Sequence, residues 1–210
     1  MKRFFKTALL CIIAQILNIT LSLLSGAIMP SIFLDTVFTV AITFYCGLVP
    51  GLVVAATYNP IMTVLRSLLA GGTGTASGGI FYYDFLYALC GIFIVIVTWA
   101  FSRNKKEFYF SKSVTLLYLL IIAFLSAFIS SFAASALDAF VRPLFKTHSD
   151  FSAVDYFALA FQKMKFNAFL SYLLPRIPIT ILDRLISTFA GFGIYRLAEK
   201  FERMVQGGKE

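Results

Sequence analysis

The sequence predicts an all-α integral membrane protein, a bundle of about six transmembrane helices forming a single domain over residues 1–210. Three observations lead there. Hydrophobic residues make up 60% of the chain and charged residues 13%, with a mean hydropathy of +0.86, where soluble domains are about 45–50% apolar and about 25% charged. The apolar residues come in runs close to the roughly 20 helical residues that cross a hydrocarbon core of about 30 Å. Lysine and arginine fall between those runs.

The first run, Thr7–Leu24, follows Lys2, Arg3 and Lys6. It is longer than a signal-peptide core and no A-x-A cleavage site follows, so a retained helix is expected. A short stretch with Gly26 and Pro30 ends it. The second run, Ile32–Tyr45, is short and has Asp35 near its start. Gly47, Pro50 and Gly51 then predict a tight turn. That turn is free of charge, so runs two and three are either two crossings or one re-entrant pair. The third run, Leu52–Leu69, contains Asn59-Pro60, and the glycine-rich segment Gly71–Gly79 follows it. Glycine suits both a linker and a mobile gate there. Run four is Tyr82–Phe101 and run five is Val114–Phe140, separated by a charged loop. Residues 141–178 are expected to form a long outer loop, broken by Pro175 and Pro178. Run six, Ile179–Ala198, leads into a charged tail. The runs are continuous and do not alternate, which favours helices over a barrel, and helices satisfy their own backbone in lipid.

Orientation follows from the basic residues. Lys2, Arg3, Lys6, Arg103, Lys105, Lys106, Lys112, Arg196, Lys200, Arg203 and Lys209 share one side, which makes 11 of the 18. The other seven are Arg66, Arg142, Lys146, Lys163, Lys165, Arg176 and Arg184. The bias places both termini in the cytoplasm and the protein in the cell inner membrane. The same distribution accounts for the net charge of +8 without a nucleic-acid partner, since the basic residues form no face or run.

Little in the sequence suggests bond-making chemistry. Cys11, Cys46 and Cys90 lie singly in apolar runs, and His148 is the only histidine. No metal-ligand spacing, nucleophile elbow or phosphate loop is present, so no metal and no cofactor are expected. An intramembrane aspartyl enzyme would need Asp35 and Asp183 to meet within the membrane, and each is expected at the outer start of its run.

The candidate residues are polar groups close to or inside the spans. Asn59, Arg66, Tyr82, Tyr83, Asp84 and Tyr87 gather around the connection of runs three and four, and Asn167, Tyr172 and Arg176 flank the entry to run six. Tyrosine and arginine at such places serve as interfacial anchors. Together they also suit the lining of an outward pocket for a small solute. Asp35 and Asp183 fit a helix-dipole role or, for Asp35, a charge pair with Arg184 across two helices. Thr7, Cys11, Ala14 and Asn18 on run one, with Ala8 beside them, and Ser187 and Gly191 on run six, are small or polar at helical spacing. Such faces allow close approach of another helix, from this chain or from a partner.

Two stretches carry a family resemblance. Phe33-Leu-Asp-Thr-Val-Phe-Thr-Val-Ala-Ile-Thr-Phe-Tyr-Cys-Gly-Leu-Val-Pro-Gly51 reads as a Leu-Asp-Thr start, an apolar helix and a Gly/Pro hairpin. Ile181-Leu-Asp-Arg-Leu-Ile-Ser-Thr-Phe-Ala-Gly191 reads as an Asp-Lys-Leu-Ile-Ser element with Arg184 in place of the lysine. Both resemble the substrate-binding S component of energy-coupling-factor vitamin transporters. The resemblance implies a six-helix protein that captures a vitamin or other micronutrient from outside. It also implies partners, a transmembrane coupling protein and two cytoplasmic ATPase subunits. In that family an Ala-x-x-x-Ala motif on the first helix meets the coupling protein. Here Ala8 and Ala14 are six apart with Cys11 between them. The hairpin also resembles the membrane sensor regions of bacterial histidine kinases, which implies the alternative of a sensor or assembly subunit.

Overall fold

A computed structural model describes residues 2–28, 33–69, 82–145 and 153–207. The glycine-rich segment 71–79, Pro30 and His148 lie outside the described residues. The described chain is helical throughout its regular structure. Helix α1 is Lys2–Ile28, α2 is Val37–Cys46 and α3 is Leu48–Leu69. A 3-10 turn, Tyr82–Tyr87, runs into α4, Ala88–Ser102, and α5 is one turn, Lys105–Phe108. Helix α6, Lys112–Ala136, ends in a π-helical turn at Leu137–Val141 and a 3-10 turn at Arg142–Phe145. Helices α7, Ala153–Lys163, and α8, Ala168–Gly207, complete the chain.

Among the described residues, five stretches are long and apolar enough to cross a membrane: Phe4–Gly26, Leu48–Arg66, Asp84–Ser102, Lys112–Leu144 and Ala168–Met204. Their outer faces are greasy. Leu9, Ile12 and Ile16 on α1, and Leu117, Phe124 and Phe128 on α6, are exposed, as lipid contact requires. The sixth apolar piece, α2, has ten residues, about 15 Å of helix and half of a hydrocarbon core.

One end of the bundle collects the basic residues. Lys6 of α1 pairs with Glu202 of α8, which brings the two chain ends together. Lys105 donates to the Phe44 carbonyl at 3.4 Å and lies 5.2 Å over the Tyr195 ring. Burial pushes its ammonium below the ordinary lysine value, opposed by Glu199. Phe44, Phe108, Tyr195, Ile94 and Leu119 form an aromatic and aliphatic core at this level. Gly47 turns α2 into α3 at φ +92°, a conformation that only glycine adopts freely.

The sixth element needs a correction. Residues 141–178 are not one long loop. They hold the last residue of the π-helical turn, the 3-10 turn Arg142–Phe145, α7, and the first eleven residues of α8. Pro175 and Pro178 lie inside α8. Each removes one backbone donor and ordinarily breaks a helix. Here α8 packs against α2, α6 and α7, and in lipid an open backbone has no water to turn to, so the helix continues. As a result Asp183 is fifteen residues into α8, not at the start of a span. From Arg176 to Arg196 is 20 residues, about 30 Å of helix and close to the core thickness. Asp183, seven residues on from Arg176, lies about 10 Å further along the helix, well inside the apolar stretch Ala168–Met204.

Candidate functional site

Helix α2 begins inside the bundle, and its first turn has N–H groups without intrahelical partners. Neighbouring helices supply acceptors. The Asn18 side chain on α1 accepts the Phe38 N–H at 2.9 Å and donates to Thr39 Oγ1 at 2.8 Å. Asp183 on α8 accepts the Leu34 N–H at 2.9 Å. Leu34 has φ +45°, a strained value for a leucine that this contact holds in place. Ser25 Oγ donates to the Phe33 carbonyl at 2.9 Å. The short non-helical entry to α2 is therefore satisfied from α1 and α8, which apolar surroundings demand.

Arg184 completes this clamp. It reaches Asp183 at 2.9 Å, Asp35 at 3.4 Å, and donates to the Thr36 hydroxyl. The Asp35–Arg184 pair considered from sequence is present in the geometry. Asp183 and Arg184 are nearly fully buried, with side-chain exposures of 1% and 9%, while Asp35 keeps 22%. The two aspartates do come near one another, through Arg184. An aspartyl dyad instead shares a proton between facing carboxyls, and here the guanidinium faces both.

A second ionic group lies about 10 Å further out along α8, at the level of Arg176. Asp138, in the π-helical turn, accepts from Arg176 at 2.6 Å and from the Tyr87 hydroxyl. Arg142 is 3.8 Å from Asp138 and 2.6 Å from Asp155 of α7. This latch ties the 3-10 turn, α6, α7 and α8 together. Two arginines face two aspartates, so the group is neutral overall.

The outer residues named from sequence divide. Tyr87 and Arg176 meet on Asp138. Asn167 is exposed and caps α8, accepting the Leu170 N–H at 2.8 Å. Arg66 is exposed near the end of α3, Asn59 is half-buried in mid-helix, and Asp84 is half-buried in the 3-10 turn. Tyr82 and Tyr83 lie in that turn, and their side chains are outside the described residues. Asp138, Arg142, Asp155 and Thr36 were missed. A carboxylate at the end of an otherwise apolar run was the available signal for Asp138.

The small residues are committed internally. Ala14 is buried against Ile42 and Val54, and the Cys11 thiol faces the Pro50 carbonyl at 3.9 Å. Ala8 on α1 is half-buried. Ser187 is fully buried, and a Cβ on Gly191 would stand 2.7 Å from the Val37 carbonyl. Cys11, Ala14, Ser187 and Gly191 thus pack against other helices of this chain. The reason is α2, whose start presses directly on α8.

From the latch inward, past the clamp and towards the basic end, the interior keeps unused polar atoms. Arg176 Nη1, Arg184 Nε and the hydroxyls of Thr98, Ser131, Ser135 and Ser187 are buried with no hydrogen-bond partner among the described residues. On α6, Ser135 and Ser131 lie about one and two turns inward of Asp138. Among the described residues no group of histidine, cysteine and acidic side chains could hold a metal ion. No protein-family model, curated protein or solved structure matches the chain.

Proposed function

We propose that this protein is the substrate-specific membrane subunit of an uptake system of the energy-coupling-factor type. It captures a vitamin or other small micronutrient from outside and hands it to an ATPase-driven coupling module. One observation carries the reading: three buried donors with no partner among the described residues, Arg176 Nη1 and the Ser135 and Ser131 hydroxyls, just inward of the Asp138 latch. An unpaired buried donor costs about 1–3 kcal/mol, so a protein with several gains by binding something that accepts from them. Broken helices at membrane depth mark solute sites in transporters, because the interrupted backbone offers groups to a ligand. Intramembrane charges are expensive and are kept where they act on a solute or pathway.

In this reading Arg176, Ser135 and Ser131 meet the polar part of the solute, and the latch at Asp138 opens to admit it. Asp84 and Arg66 stand at the outer approach. The basic end faces the cytoplasm of a cell inner membrane, where a transmembrane coupling protein and two ATPase subunits dock. The chain binds and releases its solute without making or breaking bonds.

Native mass spectrometry of protein purified in mild detergent tests this. The expected result is a retained vitamin-sized molecule that is lost in Arg176→Gln, with ATPase subunits copurifying from the source membrane. Wild-type protein that retains nothing, together with unchanged uptake in a deletion strain, contradicts the reading. Copurification with a kinase or envelope complex in place of ATPase subunits would move the assignment to a sensor or assembly subunit.

A further inference from the structure

The basic end carries a groove that the solute site does not use. Its volume is about 430 Å³, and Lys106, Glu107, Phe110, Val114 and Tyr118 line it. Two of the loop's cations are already engaged. Arg103 lies 5.4 Å over the Trp99 ring, and Lys105 reaches Phe44 and Tyr195. Lys106 and Lys112 are exposed and make no ion pair with a described residue. Lys112 is the first residue of α6, a 25-residue helix, whose N-terminal end carries partial positive charge. Ser111 caps that end through the Val114 N–H at 3.2 Å, leaving neighbouring first-turn N–H groups for other acceptors.

Below this rim the groove becomes apolar. Val114, Leu117 and Tyr118 follow one another along a flank of α6 at helical spacing. Leu117 is 56% exposed and Phe110 is 83% exposed. Tyr118 is held by ring contacts with Phe101 and Phe108. A charged mouth above an apolar track, where a transmembrane helix leaves the bilayer, matches the shape of a phospholipid.

We propose that this groove binds an anionic phospholipid with a hydroxyl-bearing headgroup. Its phosphate sits between Lys106 and Lys112 at the α6 N-terminus. A headgroup hydroxyl donates to Glu107, and an acyl chain follows Val114, Leu117 and Tyr118 while Phe110 covers it. Glu107 sets the headgroup preference, because a phosphate without a donor group would be repelled by its carboxylate. The site is independent of solute capture.

The test mixes the delipidated full-length protein with equal amounts of phosphatidylglycerol, phosphatidylethanolamine and phosphatidylcholine of matched chains. Native mass spectrometry reads the bound lipid. Phosphatidylglycerol is expected to be enriched over phosphatidylcholine by about fivefold for each engaged lysine. Lys106→Gln and Lys112→Gln should each remove about that factor, while Lys163→Gln with Lys165→Gln, at the opposite end, leaves it unchanged. Equal retention of the three lipids overturns the proposal, as does a preference that the Lys163 and Lys165 changes also abolish. Displacement of the lipid by inorganic phosphate alone would make this a free-anion site and equally overturn it.

Discussion

Arg184 is the residue on which the interior turns. It neutralises two aspartates in an apolar layer and holds Thr36 at the start of α2. Removing one partner of a buried ionic group leaves the others uncompensated, at about 3–5 kcal/mol. Arg184→Met is therefore expected to lose about that much stability, read by thermal or denaturant unfolding in detergent through the single Trp99. A change within about 1 kcal/mol would mean that the aspartates find other partners. The aspartates themselves should rank. Asp183 is buried, accepts the Leu34 N–H and pairs with the guanidinium at 2.9 Å, whereas the Asp35 pair is longer at 3.4 Å and partly exposed. Asp183→Asn should cost more than Asp35→Asn, and the reverse order would remove Asp183 from the clamp. The Asp35–Arg184 contact was legible because both are charges in apolar runs, and charges in lipid need partners. The depth of Asp183 was not legible. It depends on whether Pro175 and Pro178 end a helix, and packing from other elements decides that.

At the scale of elements, α2 and α8 press against each other at Gly191. A methyl group there would meet the Val37 carbonyl at 2.7 Å and Val40 Cγ1 at 2.9 Å. The carbonyl is backbone at a helix start held by Asn18, so it has little room to move. Gly191→Ala should destabilise by about 1–3 kcal/mol, the usual range for overpacking. Gly193 has nothing within 4 Å of such a methyl, and Gly193→Ala should be neutral or stabilising, since alanine favours helix by about 1 kcal/mol. Equal effects of the two substitutions in unfolding measurements would contradict the packing described. The short second run and the Gly47 turn were visible in sequence, because glycine and proline punctuate strongly there. Helix α7 was not. Its residues read as a polar stretch, and the Arg142–Asp155 contact, which helps Asp155 to be buried, forms only in the fold.

At the scale of the molecule, the polar groups sort by height along the bundle. The basic residues and aromatic core occupy one end, the clamp lies inside the apolar layer, and the Asp138 latch closes the other end. The all-α bundle followed directly from the apolar runs. The grouping of its polar residues did not, since Asp138, Arg142 and Asp155 come together only through the fold. The proposed function requires that the two ends of this bundle stand on opposite sides of the membrane, with the latch end outside. Side-specific thiol labelling tests it most directly. In a variant with Cys11, Cys46 and Cys90 replaced by serine, single cysteines are placed at Lys106 and at Lys163. Both residues are exposed, one at each end. A membrane-impermeant maleimide on intact cells is predicted to label the cysteine at 163 at once, and the one at 106 only after permeabilisation. Labelling of both from the same side, or of 106 alone, would contradict the account.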